Sequence, residues 1–291
     1  MKFTITGSLG NISKPLTQIL VNAGHEVTVI SSNTDKTKDI EALGAKAAIG
    51  SIDDIDFLTR TFTGADAIYV MCPPSFTTDD YRAYISATGR NYAAAIQASG
   101  VKQIVNLSSI GAHLSDGTGP IKGLHDVEQI FNTLEGVAVK HMRPSYFYFN
   151  LYGSADMIRH AGILGSNYGE SATLVMVHPT DIAIAIAEEI QQPFTGKSVR
   201  YVTSDVRPAG EVATVLGNAI GKPELKWVEF TDQQALEGMI QAGLSEEIAK
   251  NYVEMGSAIR SGVLWEDFEL NKPVFSATKL EDFAKEFAAG F

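Results

Sequence analysis

Short apolar runs alternate with segments of helical spacing through the first half of the chain. The runs "KFTIT", "HEVTVIS", "KAAIG", "AIYVMC", "KQIVNLSS" and "VAVKHMRP" predict six buried strands. Between the first two lies "PLTQILVNA", where Leu16, Ile19 and Leu20 follow the spacing of one helix face. Strands that are apolar on both faces and alternate with helices predict an α/β fold, a doubly wound parallel sheet of the Rossmann type.

The alternation ends beyond Pro144, where "SYFYFNLYGSADMIRHAGIL" is rich in aromatic residues and irregular. A strand, a turn and a helix are predicted in "TLVMVHPTDIAIAIAEEI", and a further strand in "KSVRYVTS". The sequence therefore predicts a Rossmann domain over residues 1–150, completed by about 171–206. Residues 151–170 and 207–291 are expected to form a smaller, mostly helical lobe.

Composition and charge narrow the class of protein. The 291 residues are 45% hydrophobic and 20% charged, with a net charge of −11 and a single cysteine, Cys72. An acidic chain without a basic stripe disfavours nucleic-acid binding. No apolar run approaches the ~20 residues of a membrane span, and neither cysteines nor histidines are spaced as metal ligands. We expect a cytoplasmic protein without a metal, a membrane or a nucleic acid as partner.

The stretch "TGSLGNIS", Thr6–Ser13, follows the first predicted strand and precedes a helix. Gly7, Gly10 and Ser13 are small residues at the places where a dinucleotide-binding turn needs a tight bend, a close approach to pyrophosphate and close helix packing. The free N–H groups and the dipole of the following helix favour an anion there. The alternative is a bare strand-to-helix turn without a ligand.

The end of the second strand predicts which cofactor is preferred. A carboxylate at this place would bind the ribose diol of NAD. The chain has Ser31, Ser32 and Asn33 instead, with Lys36 and Lys38 close by, and the nearest acid, Asp35, lies beyond the expected position. Neutral donors and lysine favour the 2′-phosphate of NADP(H) over NAD(H), unless this segment is simply a polar surface loop.

Four segments together resemble the NmrA-like group of atypical short-chain dehydrogenases. They are "TGSLGNIS", "GSIDD", "GVKQIVNLSSIGAH" and "RPSYFYFNL", and the resemblance covers about residues 1–205, more faintly the remainder. It implies a Rossmann domain with a smaller C-terminal lobe. The members of this group include NADPH sensors, transcriptional co-regulators and NAD(P)H-dependent quinone and azo-dye reductases.

The resemblance also implies a series of cofactor contacts. The pyrophosphate would contact the turn residues Gly7, Ser8, Leu9, Gly10, Asn11 and Ile12. The adenosine ribose or its phosphate would contact Ser31, Ser32, Asn33 and Lys36, and the adenine would lie between Ser51 and Ile52. The nicotinamide ribose would lie beside Cys72, Pro73 and Pro74, and Tyr146 and Phe147 would close over the nicotinamide. The strand-end serine Ser108 or its neighbour would lie near the substrate.

The usual proton donor of short-chain dehydrogenases is missing. Carbonyl-reducing members place a Lys four residues after a Tyr, which lowers the pKa of the phenol, but none of the ten tyrosines has such a Lys. Ile121 and His125 stand in the two places. His125 is a candidate contact to the nicotinamide ribose and a weak candidate for proton transfer; otherwise it is a polar residue on a helix face. No catalytic residue is identified.

The aromatic run Tyr146–Phe149 predicts either a wall for a flat substrate or core filling between the lobes. Alternation would direct Tyr146 and Tyr148 to one side and the two phenylalanines to the other. Phe76 and Trp227 are further candidates for the same pocket. The favoured function is an NAD(P)H-dependent reductase that transfers hydride to a quinone-like small molecule. A non-catalytic NADP(H) sensor is the alternative, a sugar epimerase is disfavoured, and a protein partner or homodimer is left open.

Overall fold

The computed structural model describes residues 1–291 and confirms the parallel α/β architecture. The strands are β1 (Lys2–Ile5), β2 (Glu26–Ser31), β3 (Lys46–Ile49), β4 (Ala67–Val70), β5 (Gln103–Leu107), β6 (Ala138–Pro144), β7 (Tyr146–Phe147), β8 (Ile163–Ser166), β9 (Thr173–Val177), β10 (Lys197–Val202), β11 (Asp205–Pro208) and β12 (Lys226–Glu229).

The helices are α1 (Ser13–Asn22), α2 (Thr37–Ala42), α3 (Ile55–Phe62), α4 (Tyr81–Ser99), α5 (Ile121–Asn132), α6 (Ala155–Ala161), α7 (Pro179–Ile190), α8 (Ala209–Ala219), α9 (Asp232–Gln241), α10 (Glu246–Ser261), α11 (Glu266–Leu270) and α12 (Leu280–Gly290). Short 3₁₀ helices lie at Thr34–Lys36, Tyr148–Ser154 and Val263–Trp265. None of the helices has the length and apolar character that crossing a membrane requires.

Seven strands form one sheet in the order β3-β2-β1-β4-β5-β6-β10, and every neighbouring pair is parallel. The chain starts at β1, moves outward to β3 and then returns to β4 on the other side of β1. In the register, Ile5 lies opposite Val29 on one side and Tyr69 on the other. The strand order reverses at this point, and open parallel sheets bind ligands at the carboxyl ends of such strands.

Helices cover both faces of the sheet, which explains the continuous apolar runs of the strands. In β4, Ala67 and Tyr69 belong to the core cluster beneath α1 and α7, while Ile68 and Val70 belong to the cluster beneath α3, α4 and α5. All four residues are buried. A strand in the middle of such a sheet is therefore mostly apolar on both faces, because neither face meets water.

The C-terminal elements pack around a cluster of 27 buried residues, in which Leu216, Trp227 and Phe283 meet Ile121 of α5 and Tyr201 of β10. Two small sheets accompany its helices: a three-stranded sheet in the order β11-β9-β7 and a pair of strands, β12 and β8. The lobe covers the carboxyl edge of the large sheet closely. A Cβ atom added at Gly119, in the loop before α5, would lie 1.9 Å from the carbonyl oxygen of Asn251 on α10.

Candidate functional site

The turn between β1 and α1 adopts a backbone that only small residues tolerate well. Gly7 has φ +87°, and Ser8, at φ +53°, is the one non-glycine residue with a positive φ. A Cβ on Gly7 would lie 2.6 Å from the Ser13 hydroxyl, and one on Gly10 would lie 3.1 Å from the Gly7 carbonyl oxygen. A non-glycine residue in this region, such as Ser8, is strained, and such strain concentrates at ligand sites; the missing Cβ atoms of the two glycines let the turn pack tightly against α1.

Ser13, in the third small-residue position, has a structural role of its own. Its buried hydroxyl donates a hydrogen bond to the Thr6 carbonyl oxygen at 2.8 Å, which holds the first turn of α1 against the end of β1. No side chain caps α1 at Ile12, and no carboxylate lies in its first turn. The positive end of the helix dipole therefore faces the turn without an internal anion, as pyrophosphate binding requires.

The end of β2 is joined directly to the turn. Ser8 donates a hydrogen bond to the Ser31 hydroxyl at 2.9 Å, and Ser31 is buried. The Asn33 side chain accepts from the Asp35 N–H at 2.8 Å and so caps the short 3₁₀ helix. Ser32 is exposed, and the Lys36 side chain is 46% exposed, 3.7 Å from the Asp39 carboxylate. Both side chains are exposed where a ligand would approach the end of β2.

The neighbouring strand ends continue this edge. The Gly50 N–H donates to the Ser31 carbonyl oxygen at 3.0 Å, so the ends of β2 and β3 lie side by side. Ser51 is exposed and accepts from the Asp53 N–H at 3.1 Å. Ile52 is half-buried against the core beneath α3 and α4 and presents apolar surface beside it. The structure thus brings both predicted adenine contacts to the edge where Ser31 ends β2.

At the end of β4, Cys72 is buried, and burial raises the pKa of its thiol to about 12. The thiol therefore stays protonated and serves as a small packing residue. Pro73 is half-buried and Pro74 is exposed. The Met71 N–H donates to the Thr6 hydroxyl at 2.9 Å, which holds this strand end beside the nucleotide turn.

His125 lies on α5 with its ring held in one orientation. Its Nδ1 is 2.8 Å from the Ala112 carbonyl oxygen. A carbonyl only accepts, so Nδ1 carries the proton and Nε2 of the neutral ring is an acceptor. Ile121, one turn earlier, is buried and apolar where a short-chain dehydrogenase would have its tyrosine.

Neither serine at the end of β5 has a free hydroxyl. Ser108 donates to the buried Glu128 carboxylate at 2.5 Å, and Ser109 donates to the Ile110 carbonyl oxygen at 2.9 Å. The predicted contact of Ser108 with the cofactor would therefore have to be made through the remaining acceptor capacity of its oxygen.

A buried ionic network behind Ser108 was not predicted from the sequence. The Arg143 guanidinium makes two hydrogen bonds to Glu128, at 2.6 and 2.9 Å, and a third to Asp267 at 3.0 Å. The Tyr201 hydroxyl contacts both Arg143 and Asp267. The network joins α5, β6 and β10 to α11 of the C-terminal lobe. Its one sequence signal is an arginine within the otherwise apolar end of "VAVKHMRP".

The aromatic run after β6 divides as the alternation predicts. Tyr146 and Tyr148 pack with the core of the C-terminal lobe, whereas Phe147 packs on the core of the sheet and Phe149 is exposed. Tyr148 is fully buried, with its ring 5.2 Å from that of Phe283, so it fills the core. Tyr146 and Phe147 are half-buried at the sheet edge.

The two further pocket candidates lie in different environments. The expectation for Trp227 is wrong: it is buried in the C-terminal lobe, stacked on Tyr168 at 5.2 Å, with its indole N–H bonded to the Tyr168 carbonyl oxygen. Its large apolar ring is used there as core. Phe76 is exposed on the loop between β4 and α4.

Two grooves on the surface differ in their distance from the turn between β1 and α1. One, of about 420 Å³, lies along the first turns of α1 and is lined in part by Gly10, Asn11 and Lys14. The other, of about 750 Å³, follows the edge strand β10 and reaches Arg143. The larger groove is remote from the nucleotide turn, so its size does not make it the cofactor site.

Comparisons with known proteins agree with this geometry. Residues 7–135 match the family model described as NAD(P)H-binding. The chain is 24% identical over 290 residues to the NAD(P)H azoreductase of Xenophilus azovorans, covering 99% of this chain and 98% of the relative. An NADPH-dependent quinone oxidoreductase from Escherichia coli, solved with NADPH, superposes with a TM-score of 0.84 at 19% identity, covering 98% and 99% of the two chains.

A second similar structure is the Citrobacter sp. triphenylmethane reductase complexed with NADP(H). It superposes with a TM-score of 0.82 at 20% identity and covers 99% of this chain and 100% of that one. The matched stretch 7–135 includes the turn between β1 and α1, the ends of β2 to β4 and His125, and it ends before Tyr146 and Phe147.

Proposed function

We propose that this protein, whose residues 7–135 belong to the NAD(P)H-binding family, is a reductase that transfers hydride from NADPH to flat conjugated acceptors of the quinone class. One observation carries the proposal. The nucleotide turn is complete, while the place of the tyrosine proton donor is taken by the buried Ile121. A quinone suits such a site, because it accepts hydride directly and water can protonate the resulting hydroquinone anion.

The chain's residues fit a dinucleotide. Gly7 and Gly10 leave the space that side chains would fill, and the uncapped start of α1 favours the pyrophosphate. Ser32 and Lys36 are exposed at the end of β2, where no carboxylate takes the place that would bind a ribose diol. These donors support NADP(H) over NAD(H), as do the relatives that were crystallised with NADPH or NADP(H).

In the proposed mechanism the bound nicotinamide supplies the hydride. The turn would hold the cofactor, and the Nε2 atom of His125 would be available to accept a hydrogen bond from a ribose hydroxyl, since Nδ1 is already bonded to Ala112. Tyr146 and Phe147 close the nicotinamide end. Cys72, a neutral thiol, provides apolar packing at the same edge. The acceptor is oriented by these walls, and the proton comes from solvent.

A non-catalytic NADP(H) sensor is the second candidate. The observation that favours it is the use of both strand-end hydroxyls, Ser108 and Ser109, in internal hydrogen bonds. A sugar epimerase is less well supported, because that chemistry needs the tyrosine that Ile121 replaces.

Turnover separates the two candidates. Purified protein is mixed with NADPH and a panel of benzoquinones and naphthoquinones, and the loss of nicotinamide absorbance is followed. A thermal-shift titration with NAD, NADH, NADP and NADPH accompanies it, because a ligand that binds the native state raises its stability. We expect turnover, and we expect NADP and NADPH to raise Tm more than NAD and NADH do. Tight NADPH binding without turnover of any acceptor would favour the sensor.

Charge reversal at Lys36 tests the cofactor preference. We expect Lys36→Glu to weaken NADPH binding about threefold to tenfold, because an exposed charge contributes on the order of 1 kcal/mol, and to leave NADH binding unchanged. Lys102→Glu, at an exposed position before β5 on the opposite edge of the sheet, is the matched control. Equal losses for NADPH and NADH, or the same loss in both variants, would contradict the 2′-phosphate argument.

A further inference from the structure

Three tyrosine hydroxyls at the carboxyl edge of the sheet have no hydrogen-bond partner within the protein. They belong to Tyr81 at the start of α4, Tyr146 in β7 and Tyr252 on α10, and all three side chains are half-buried. None of the three is among the buried polar atoms that lack a partner. Their hydroxyls are therefore at least partly accessible, so that a ligand or water can accept from them.

Other tyrosines of the chain show the contrast. The Tyr92 hydroxyl donates to the Met71 carbonyl oxygen at 2.9 Å, and that of Tyr201 contacts Asp267. Tyr148 is entirely within the core. The hydroxyls of these residues are either bonded internally or enclosed, as expected of structural tyrosines. The hydroxyls of Tyr81, Tyr146 and Tyr252 are neither bonded within the protein nor enclosed in its core.

The fold brings the three residues together from separate elements. The Tyr81 N–H donates to the Glu247 carboxylate at 3.3 Å, so the first turn of α10 lies against the start of α4. Glu247 also accepts from the amide of Asn251, the neighbour of Tyr252, at 2.9 Å. Tyr146 packs with the core of the same lobe.

Their electrostatic coupling agrees with this placement. Burial raises the pKa of Tyr81 and of Tyr146, and the proximity of Tyr252 raises both further. Cys72, at the end of β4, has the same effect on Tyr81. Tyr252 is thus near both Tyr81 and Tyr146, and Tyr81 is near Cys72 at the end of β4. All three phenols stay neutral near pH 7 and can donate hydrogen bonds.

We propose that Tyr81, Tyr146 and Tyr252 form the acceptor site, with the hydroxyls of Tyr81 and Tyr252 donating hydrogen bonds to a carbonyl oxygen of a quinone. The inference rests on the proposed function and narrows it to acceptors that carry such an oxygen. Hydride reduces the quinone by two electrons, the nicotinamide is oxidised, negative charge develops on the quinone oxygen, and water supplies the proton. Donors aimed at that oxygen stabilise the developing charge.

The test compares two acceptors with the same protein. A benzoquinone has carbonyl oxygens, whereas a triarylmethyl dye cation accepts hydride at carbon and has none. We expect Tyr81→Phe and Tyr252→Phe each to lower kcat/KM for the quinone about threefold to tenfold, the cost of one hydrogen bond. The rate with the dye and the Kd for NADPH should stay unchanged. Tyr152→Phe, in the C-terminal lobe away from this edge, is the matched control.

The outcomes separate this inference from the proposed function. Unchanged quinone kinetics in both variants, or equal losses for quinone and dye, would overturn the role of the tyrosines while leaving the reductase intact. If the wild type reduces no acceptor, the proposed function fails. The role of the tyrosines is then tested by equilibrium binding of the benzoquinone to the protein in the presence of NADP⁺. Weaker binding by the phenylalanine variants would support it; equal binding, or none by the wild type, would overturn it. Circular dichroism verifies that the variants are folded.

Discussion

Replacing Arg143 by methionine would leave a carboxylate buried without its cation. The Arg143 and Glu128 side chains are 9% and 3% exposed, and the shortest distance between their charged groups is 2.6 Å. Methionine approximates the length of the arginine stem but provides none of the hydrogen bonds to Glu128, Tyr201 or Asp267. Glu128 would keep only the hydroxyl of Ser108 as a partner.

Breaking a buried ion pair by removing one partner costs about 3–5 kcal/mol, because the other charge stays desolvated. At ~2.1 cal/mol/K per residue, the unfolding entropy of this 291-residue chain is about 0.6 kcal/mol/K. The loss therefore corresponds to a fall in Tm of about 5–8 °C. An exposed pair is worth ~1 kcal/mol or less; Lys46 and Glu26, 74% and 61% exposed, form one.

Urea and thermal unfolding of Arg143→Met and of the control Lys46→Met measure the difference. We expect a large fall in the free energy of unfolding and in Tm for Arg143→Met, and almost none for Lys46→Met. Adding Glu128→Gln to Arg143→Met should restore a substantial part of the loss, because no unpaired charge is then buried. If Arg143→Met stays within about 1 kcal/mol of the wild type, the network does not have the role inferred from its burial.

Further predictions concern the turn and two buried side chains. Gly7→Ala should lower NADPH affinity more than tenfold and destabilise the protein more than the control Gly24→Ala does. Gly24 has a similar positive φ, but no atom lies within 4 Å of an added Cβ there. Equal effects of the two substitutions in fluorescence titration and urea unfolding would contradict the steric argument. Burial lowers the pKa of His141 to about 4 from 6.5, so the unfolded chain takes up the proton first, and ~3 kcal/mol of stability present above pH 6.5 should be lost as the pH falls to 4. His141→Asn should flatten that dependence of the urea midpoint, whereas a substitution at the exposed His160 should not. Iodoacetamide at pH 8 should alkylate Cys72 slowly in the native protein and rapidly in denaturant; fast native labelling would show that the thiol is accessible.

The sequence by itself determined the sheet and the nucleotide turn. Both depend on local patterns: apolar runs of strand length for β1 to β6, and small residues at Gly7, Gly10 and Ser13 between a strand and a helix. The missing tyrosine was equally visible, since a spacing of four residues on one helix is a local property. Periodicity and turn chemistry act over a few residues, so they can be recognised without knowing the fold.

Only the tertiary structure decided which side chains meet across long distances in the chain. The bond from Ser13 to the Thr6 carbonyl explains why a serine suits the third position. The Arg143 network joins residues more than 100 positions apart. The contact of Tyr81 with α10 likewise joins separate lobes, and Trp227 proved to be core. Such contacts depend on how elements pack, and no local pattern records which face of one helix meets the end of another.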